Sequence, residues 1–260
     1  WRTVDLEAEV SWWDAGLALQ LLGGVYWELG RLTDGLDLLG PEVASDKRAG
    51  YRDGRAMMLD AIAKINIELG RHGEGLEQAE RAFAMVKDTK RYWVQSGILN
   101  TVAAAHRRLA GLDRALQTDE QALALAREAR FKRAEADSLV SLSLTHQERG
   151  RYDEARSHAE QALALARERS FRVVEGQALT ALCSTAESES AHATAVPLGQ
   201  EALAIHRETG HRLGEARTLM TLARAHRKTN GAAAALMRQQ AWDIFSDIGV
   251  PAKEYQDLVL

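Results

Sequence analysis

Laid out in rows of forty from residue 11, the chain repeats one hydrophobic pattern six times, without a gap, through residue 250. One column holds Leu19, Leu59, Leu99, Leu139, Leu179 and Leu219. Three residues on stand Leu22, Ile62, Val102, Leu142, Leu182 and Leu222, and the next column is small throughout: Gly23, Ala63, Ala103, Ser143, Cys183 and Ala223. Positions i, i+3 and i+4 form one stripe of a helix. The spacing predicts a first helix in each row with a large-large-small face, the small residue letting a neighbouring helix come close. That helix is expected to end at Gly30, Gly70, Ala110, Gly150, Ser190 and Asn230, mostly residue types suited to a left-handed end or a turn. A second helix follows, with a small column (Gly35, Gly75, Ala115, Ala155, Ala195, Ala235) and an apolar one (Met85, Leu125, Leu165, Ile205, Phe245), which Ser45 breaks in the first row. A turn of a few residues favours antiparallel packing. One such hairpin cannot bury both its faces, so the hairpins must stack into a solenoid. The segment EQALALARE, identical at 120–128 and 160–168, falls in the second helix. There Ala122 and Ala162 admit a neighbour, Leu125 and Leu165 fill the seam, and Arg127 and Arg167 point outward.

The residues at these positions resemble a known family. Leu22-Gly23-x-x-Tyr26 and Leu29-Gly30-Arg31 in the first row, with Gly150-Arg151-Tyr152-x-x-Ala155 and Ala162 in the fourth, are similar to the tetratricopeptide repeat. The resemblance runs along nearly the whole chain. The forty-residue period is longer than that family's common ~34. It resembles the longer-helix variety of kinesin light chains and of large bacterial transcriptional and ATP-dependent switch regulators. HEAT and armadillo repeats share the ~40–47-residue period, but nothing here matches them residue by residue. The resemblance implies an all-α fold, a right-handed superhelical α-α solenoid of about six hairpins over 11–50, 51–90, 91–130, 131–170, 171–210 and 211–250. Residues 1–10 would then be a helical segment of a preceding unit. Residues 251–260 would begin a capping or seventh-repeat helix, with Pro251 where a helix start tolerates it.

Composition narrows the function. The chain is 46% hydrophobic and 27% charged with a net charge of −4, and no apolar run approaches the ~18–20 residues of a membrane span. No basic-then-apolar leader is visible, and the start at Trp1 without Met reads as a piece of something longer. A lone cysteine, Cys183, cannot pair within the chain, which fits a reducing cytoplasm; its place in the small column makes it a buried apolar residue. His106, His146 and His226 share a column with Tyr26 and Asn66, but one repeat or two is ~10 Å or more, too far to share a zinc. They read as packing, and His72 and His192 as turn residues. With no phosphate loop, no His-Glu-x-x-His and no Gly-x-Ser-x-Gly, no catalysis, cofactor or metal is expected. Trp12, Trp13 and Trp27 crowd the first row, as packing or as an aromatic docking surface.

In tetratricopeptide proteins the first helices line the concave face. Carried over relative to the small column, the resemblance places on that face Met57, Asp60, Lys64 and Ile67 in the second row and Gly97, Asn100, Ala104 and Arg107 in the third. Asp137, Val140, Leu144 and Gln147 follow in the fourth, Gln177, Thr180, Ser184 and Glu187 in the fifth, and Arg217, Met220, Arg224 and Arg227 in the sixth. The candidate partner-binding set drawn from these is Lys64, Asn100, Arg107, Asp137, Val140, Leu144, Gln177, Thr180, Arg217, Met220, Arg224 and Arg227. Val140, Leu144, Met220 and Ile67 suggest a groove for an apolar segment. Residues 211–250 carry six Arg/Lys against three Asp/Glu, and residues 171–210 two against five. Either these rows attract each other, or Arg217, Arg224, Arg227 and Lys228 seat a carboxylate. No paired Lys/Asn set recurs as it does in carboxylate-clamp repeats, which argues against a chaperone-tail ligand. The expected function is a non-catalytic module that binds a peptide, a partner protein or another domain of the same polypeptide, within a bacterial signalling or transcriptional regulator. The alternatives are a small-molecule effector sensor and a structural scaffold self-associating through its solenoid ends. Direct nucleic-acid binding is not expected from a negative chain with no basic stripe across several rows, nor membrane binding without a basic amphipathic helix.

Overall fold

The computed structural model describes residues 22–44, 52–227 and 229–256, and every regular element among them is a helix. Trp12, Trp13, Ser45, the side chain of Lys228 and the expected helix at 1–10 lie outside the described residues. The helices are α1 (22–28), α2 (Leu32–Ala44), α3 (Arg52–Glu68), α4 (His72–Val86), α5 (Tyr92–Arg108), α6 (Leu112–Glu128), α7 (Lys132–Glu148), α8 (Tyr152–Glu168), α9 (Arg172–Ser188), α10 (His192–Thr209), α11 (Arg212–His226), α12 (Gly231–Asp247) and α13 (Lys253–Gln256).

The small-residue columns explain the packing. Ala63, Ala103, Ser143 and Cys183 are fully buried on the first helices, as are Ala115, Ala155 and Ala195 on the second. Their neighbours Leu59, Leu99, Leu139, Leu179 and Leu219 are at most 4% exposed, and each such burial contributes about 1.5–3 kcal/mol. In the first hairpin the column fails: Leu22 is 42% exposed. Each helix packs on its hairpin partner and then on the next hairpin's first helix; α3, α5, α7, α9 and α11 also touch one another in series. No series of second-helix pairs comes as close, so the first helices line the inside of the bend.

The chain turns between helices through left-handed residues. Gly30, Gly70, Ala110, Gly150 and Ser190 have φ between 57° and 73° at the ends of first helices, which lets the next amide bond back to the last turn. Arg130, Ser170 and Gly210 do the same after the second helices. Asn230 departs from the expectation. Its φ is −150°, and its side chain instead caps α12 by accepting from the backbone N–H of Ala233. The sixth hairpin therefore runs one residue early: Ala234 is buried where Ala235 was expected, and Ala235 is exposed.

The superhelix curls until its ends meet. Leu32 of α2 and Ile65 of α3 share one core cluster with Leu213, Met220, Phe245 and Ile248 of the last hairpin. Gly30 lies against Ile248 and Arg212 so closely that a Cβ there would collide with the isoleucine. Trp27 tilts against His211 at 5.8 Å, and α13 places Glu254 over Gly70 and 2.9 Å from His72 Nε2.

Candidate functional site

Closure of the ends turns the concave face into an enclosed wall, and the charged residues on it pair across the enclosure. Lys64 Nζ lies 2.8 Å from Asp60 Oδ2, and the guanidinium of Arg133 donates to both Asp137 oxygens at 3.2 Å while reaching Glu28 at 3.8 Å. Burial pushes the carboxyls of Asp137 and Glu28 above the usual range, against the pull of Arg133 and Lys64. Burial also pulls on Lys64, yet Asp60, Asp137 and Glu28 together hold its ammonium above the usual lysine range. Groups from the first, second and fourth hairpins thus share one electrostatic environment inside the ring.

Arg217 supplies the longest-range link. Its Nη2 donates to Glu68 Oε2 at 2.7 Å, joining the sixth hairpin to the second. Burial holds Arg217 below the usual arginine range; Glu68 opposes that, and the positive charges of Arg108 and Arg107 add to it.

The remaining expected residues are placed as follows. Arg107 is held by Asp119 Oδ2 at 3.3 Å, Ser141 Oγ at 3.0 Å and Thr145 Oγ1 at 3.0 Å, its side chain only 9% exposed. Arg224 donates to Glu187 at 3.1 Å, so the oppositely charged fifth and sixth rows do attract each other there. With Arg217 on Glu68 and Arg224 on Glu187, the sixth row does not present these two as one open carboxylate seat. Arg227 is exposed. Thr180 Oγ1 sits between His206 Nε2 (3.0 Å) and Thr218 Oγ1 (2.8 Å), and Gln147 donates to Ser184 at 2.7 Å.

The apolar members differ from the expectation of a groove surface. Val140, Met220 and Ile67 are 8%, 1% and 4% exposed, and half-buried Leu144 packs against the cores between α7, α8 and α9. They fill helix–helix seams because neighbouring first helices approach closely enough to cover them. The part of the wall not packed into those seams is polar. Asn100 keeps a buried Oδ1 without a hydrogen-bond partner, Gly97 beside it has free space over its Cα, and Gln177 is half-buried nearby in the series.

The histidine and cysteine readings come out as packing. Burial lowers His106 and His146, and His146 stacks on His158 at 5.3 Å. Cys183 is buried and its thiol pushed up to about 12, far from thiolate chemistry. Among the described residues no three side chains of metal-ligating type converge, and no helix is long and apolar enough to cross a membrane.

Two features escaped the sequence reading. His206 and His211 are buried side by side, their rings tilted by 56° and their Nδ1 atoms 3.1 Å apart, in space left by Gly176 and Gly214, where a Cβ would strike the rings. A column of ion pairs also crosses successive second-to-first-helix turns: Arg127–Glu135 (3.2 Å), Arg167–Glu175 (3.1 Å) and Arg207–Glu215 (2.8 Å). The signal was present as Arg and Glu columns at forty-residue spacing.

Residues 95–168 match the family model described as tetratricopeptide repeat. Residues 95–168 carry tetratricopeptide repeats. No curated protein sequence matches the chain. Among solved structures, a Rap protein complexed with competence and sporulation factor is similar with a TM-score of 0.77 at 15% identity, over 92% of this chain and 67% of that one. NprR in complex with its cognate peptide NprX is similar at 0.68 and 14%, over 94% and 70%. The nearly identical repeats of a putative kinesin light chain from Podosopora anserina give 0.52 and 19%, over 76% and 98%. At these identities the likeness shows the fold: an all-α superhelical solenoid of tetratricopeptide type.

Proposed function

We propose that this chain is a non-catalytic interaction module whose concave wall takes a peptide or a segment of a partner protein. The observation that carries the reading is the polar strip of that wall: half-buried Asn100, whose buried Oδ1 has no hydrogen-bond partner, and the open space over the Gly97 Cα, on the helix between those of Lys64 and Asp137. An extended backbone offers N–H groups to such an oxygen, and the flanking charges of both signs register a peptide's side chains. Of the similar structures, the Rap protein holds competence and sporulation factor and NprR its cognate peptide; that supports the reading by analogy of fold. A place within a larger cytoplasmic regulator is part of the same proposal. Among the described residues, the cleft where the ends meet is too small for an effector. The cleft at the closure, lined by Glu68, Arg108, Arg217 and Glu254 among others, has a volume of about 20 Å³, room for about one water.

The test is selection of a displayed random-peptide library on the immobilised chain, followed by titration of the enriched peptides. Asn100→Ala and Asp137→Lys should each weaken binding about tenfold or more at unchanged helicity. Enriched peptides that bind both variants as well as the wild type would place the site elsewhere.

A further inference from the structure

The two edges of the solenoid carry unlike charge. The turns that lead from a second helix into the next first helix, residues 87–93, 127–133, 167–173 and 207–213, contain twelve Lys/Arg and four Asp/Glu. The opposite turns, residues 67–73, 107–113, 147–153 and 187–193, contain five and six. A basic stripe therefore crosses four hairpins on one edge, which the row-by-row charges conceal.

Many of its guanidiniums are occupied. Arg127, Arg167 and Arg207 hold the glutamates described above, and Arg91 pairs with Asp53 at 3.1 Å. Lys87, Lys90 and Arg130 are exposed and have no acidic partner among the described residues. Between these cations lie two large exposed rings: Trp93 at the start of α5 and Phe131 at the start of α7, 37% and 45% exposed, with centroids 5.5 Å apart. The aromatic series continues along the edge to Phe171, which has the Arg133 guanidinium 5.8 Å from its ring.

We propose that this edge is a docking surface for an acidic protein segment bearing an apolar anchor. The anchor covers the Trp93–Phe131 pair, and its carboxylates take the uncommitted charges of Lys90 and Arg130. Exposed Trp flanked by Arg is the chemistry of interface hot spots, and apolar rings ringed by spare cations complement an acidic amphipathic chain. Nucleic acid fits less well. Each of the four turns also sets one acid on the edge (Asp88, Glu128, Glu168, Glu208), and three spare cations are few for tracking a phosphate backbone. The surface lies outside the concave wall, so the proposal does not depend on the peptide reading above.

The experiment is fluorescence anisotropy of a labelled peptide of repeating Asp-Asp-Phe units titrated with the full chain. The expected result is saturable binding that weakens with salt, falls about tenfold or more in Trp93→Ala and in Lys90→Glu, and is absent for a Lys-Lys-Phe peptide. Trp93→Leu keeps the bulk of the side chain and should show an intermediate loss. If Trp93→Ala loses helicity, the exposed Lys90→Glu and Arg130→Glu changes decide the matter. Three results overturn the proposal: no binding of the acidic peptide, binding lost through Lys64→Glu but untouched by Lys90→Glu, or tighter binding of a labelled oligothymidylate.

Discussion

Replacing Arg217 by glutamate should open the ring without unfolding the hairpins. In the wild type, Arg217 Nη2 and Glu68 Oε2 are 2.7 Å apart, with the side chains 36% and 9% exposed. At an effective dielectric near 20, unit charges about 4 Å apart interact by roughly 4 kcal/mol. Reversing one sign converts that attraction into repulsion. Solvent reaches Arg217, so screening cuts the net cost to on the order of 2–4 kcal/mol. The variant can avoid this penalty by separating the second and sixth hairpins. Doing so sacrifices the contacts of Leu32 and Ile65 with the last hairpin but leaves every hairpin stacked on its sequence neighbour. Small-angle scattering should therefore show a larger radius of gyration in R217E at unchanged far-UV circular dichroism, with faster amide exchange confined to the contacts between the ends. The charge-swapped double variant Glu68→Arg, Arg217→Glu should reclose. An unchanged scattering curve in R217E, or a double variant as open as the single, would refute the reasoning.

Further outcomes follow from the buried polar groups and the turns. Asp119→Ala leaves Arg107 without its counter-charge and should cost about 3 kcal/mol in urea unfolding, whereas Asp119→Ala with Arg107→Leu should recover most of it, since removing both halves of a buried pair is far milder than removing one. Ala110→Gly, Ser170→Gly and Ser190→Gly relieve left-handed side-chain strain and should each stabilise by about 0.5–1 kcal/mol; a thermal melt that falls for all three would contradict this. Burial lowers His206 to about 4 and His211 to about 3, below their unfolded value of about 6.5. Folding thus gains from their neutrality above pH ~6.5 and loses that gain as pH falls toward ~4. Urea midpoints at pH 7 and pH 5 should differ more in the wild type than in the His206→Gln, His211→Gln double variant.

Helix class and order were legible because forty-residue periodicity records a local requirement: every first helix needs the same large-large-small face. The same columns misplace Ala235, since the Asn230 cap starts α12 one residue earlier in the forty-residue frame than the other second helices start, without disturbing the apolar pattern by eye. Val140 and Met220 read as open groove surface in the sequence for a different reason. Their burial depends on how tightly neighbouring helices and distant hairpins approach, and no single row encodes that. The Arg217–Glu68 contact, 149 residues apart, belongs to the superhelical curvature and was beyond reach of any local pattern. The Arg127–Glu135 column was within reach but hidden by treating second-helix arginines merely as outward-facing.

That column is not uniform, and its exception has a mechanical meaning. Where the third to sixth hairpins carry this column's guanidinium–carboxylate contacts, its place between the second and third is taken by the neutral amide of Gln95, beside the Arg91–Asp53 pair; the amide Nε2 donates to the carbonyls of Val86 (2.8 Å) and Thr89 (2.7 Å). Raised ionic strength slackens the first kind of joint and leaves the second alone. In dilute buffer the spring has one odd link at α4–α5; in strong salt that link keeps its amide contacts while the others lose their column, and flexing moves toward the other end.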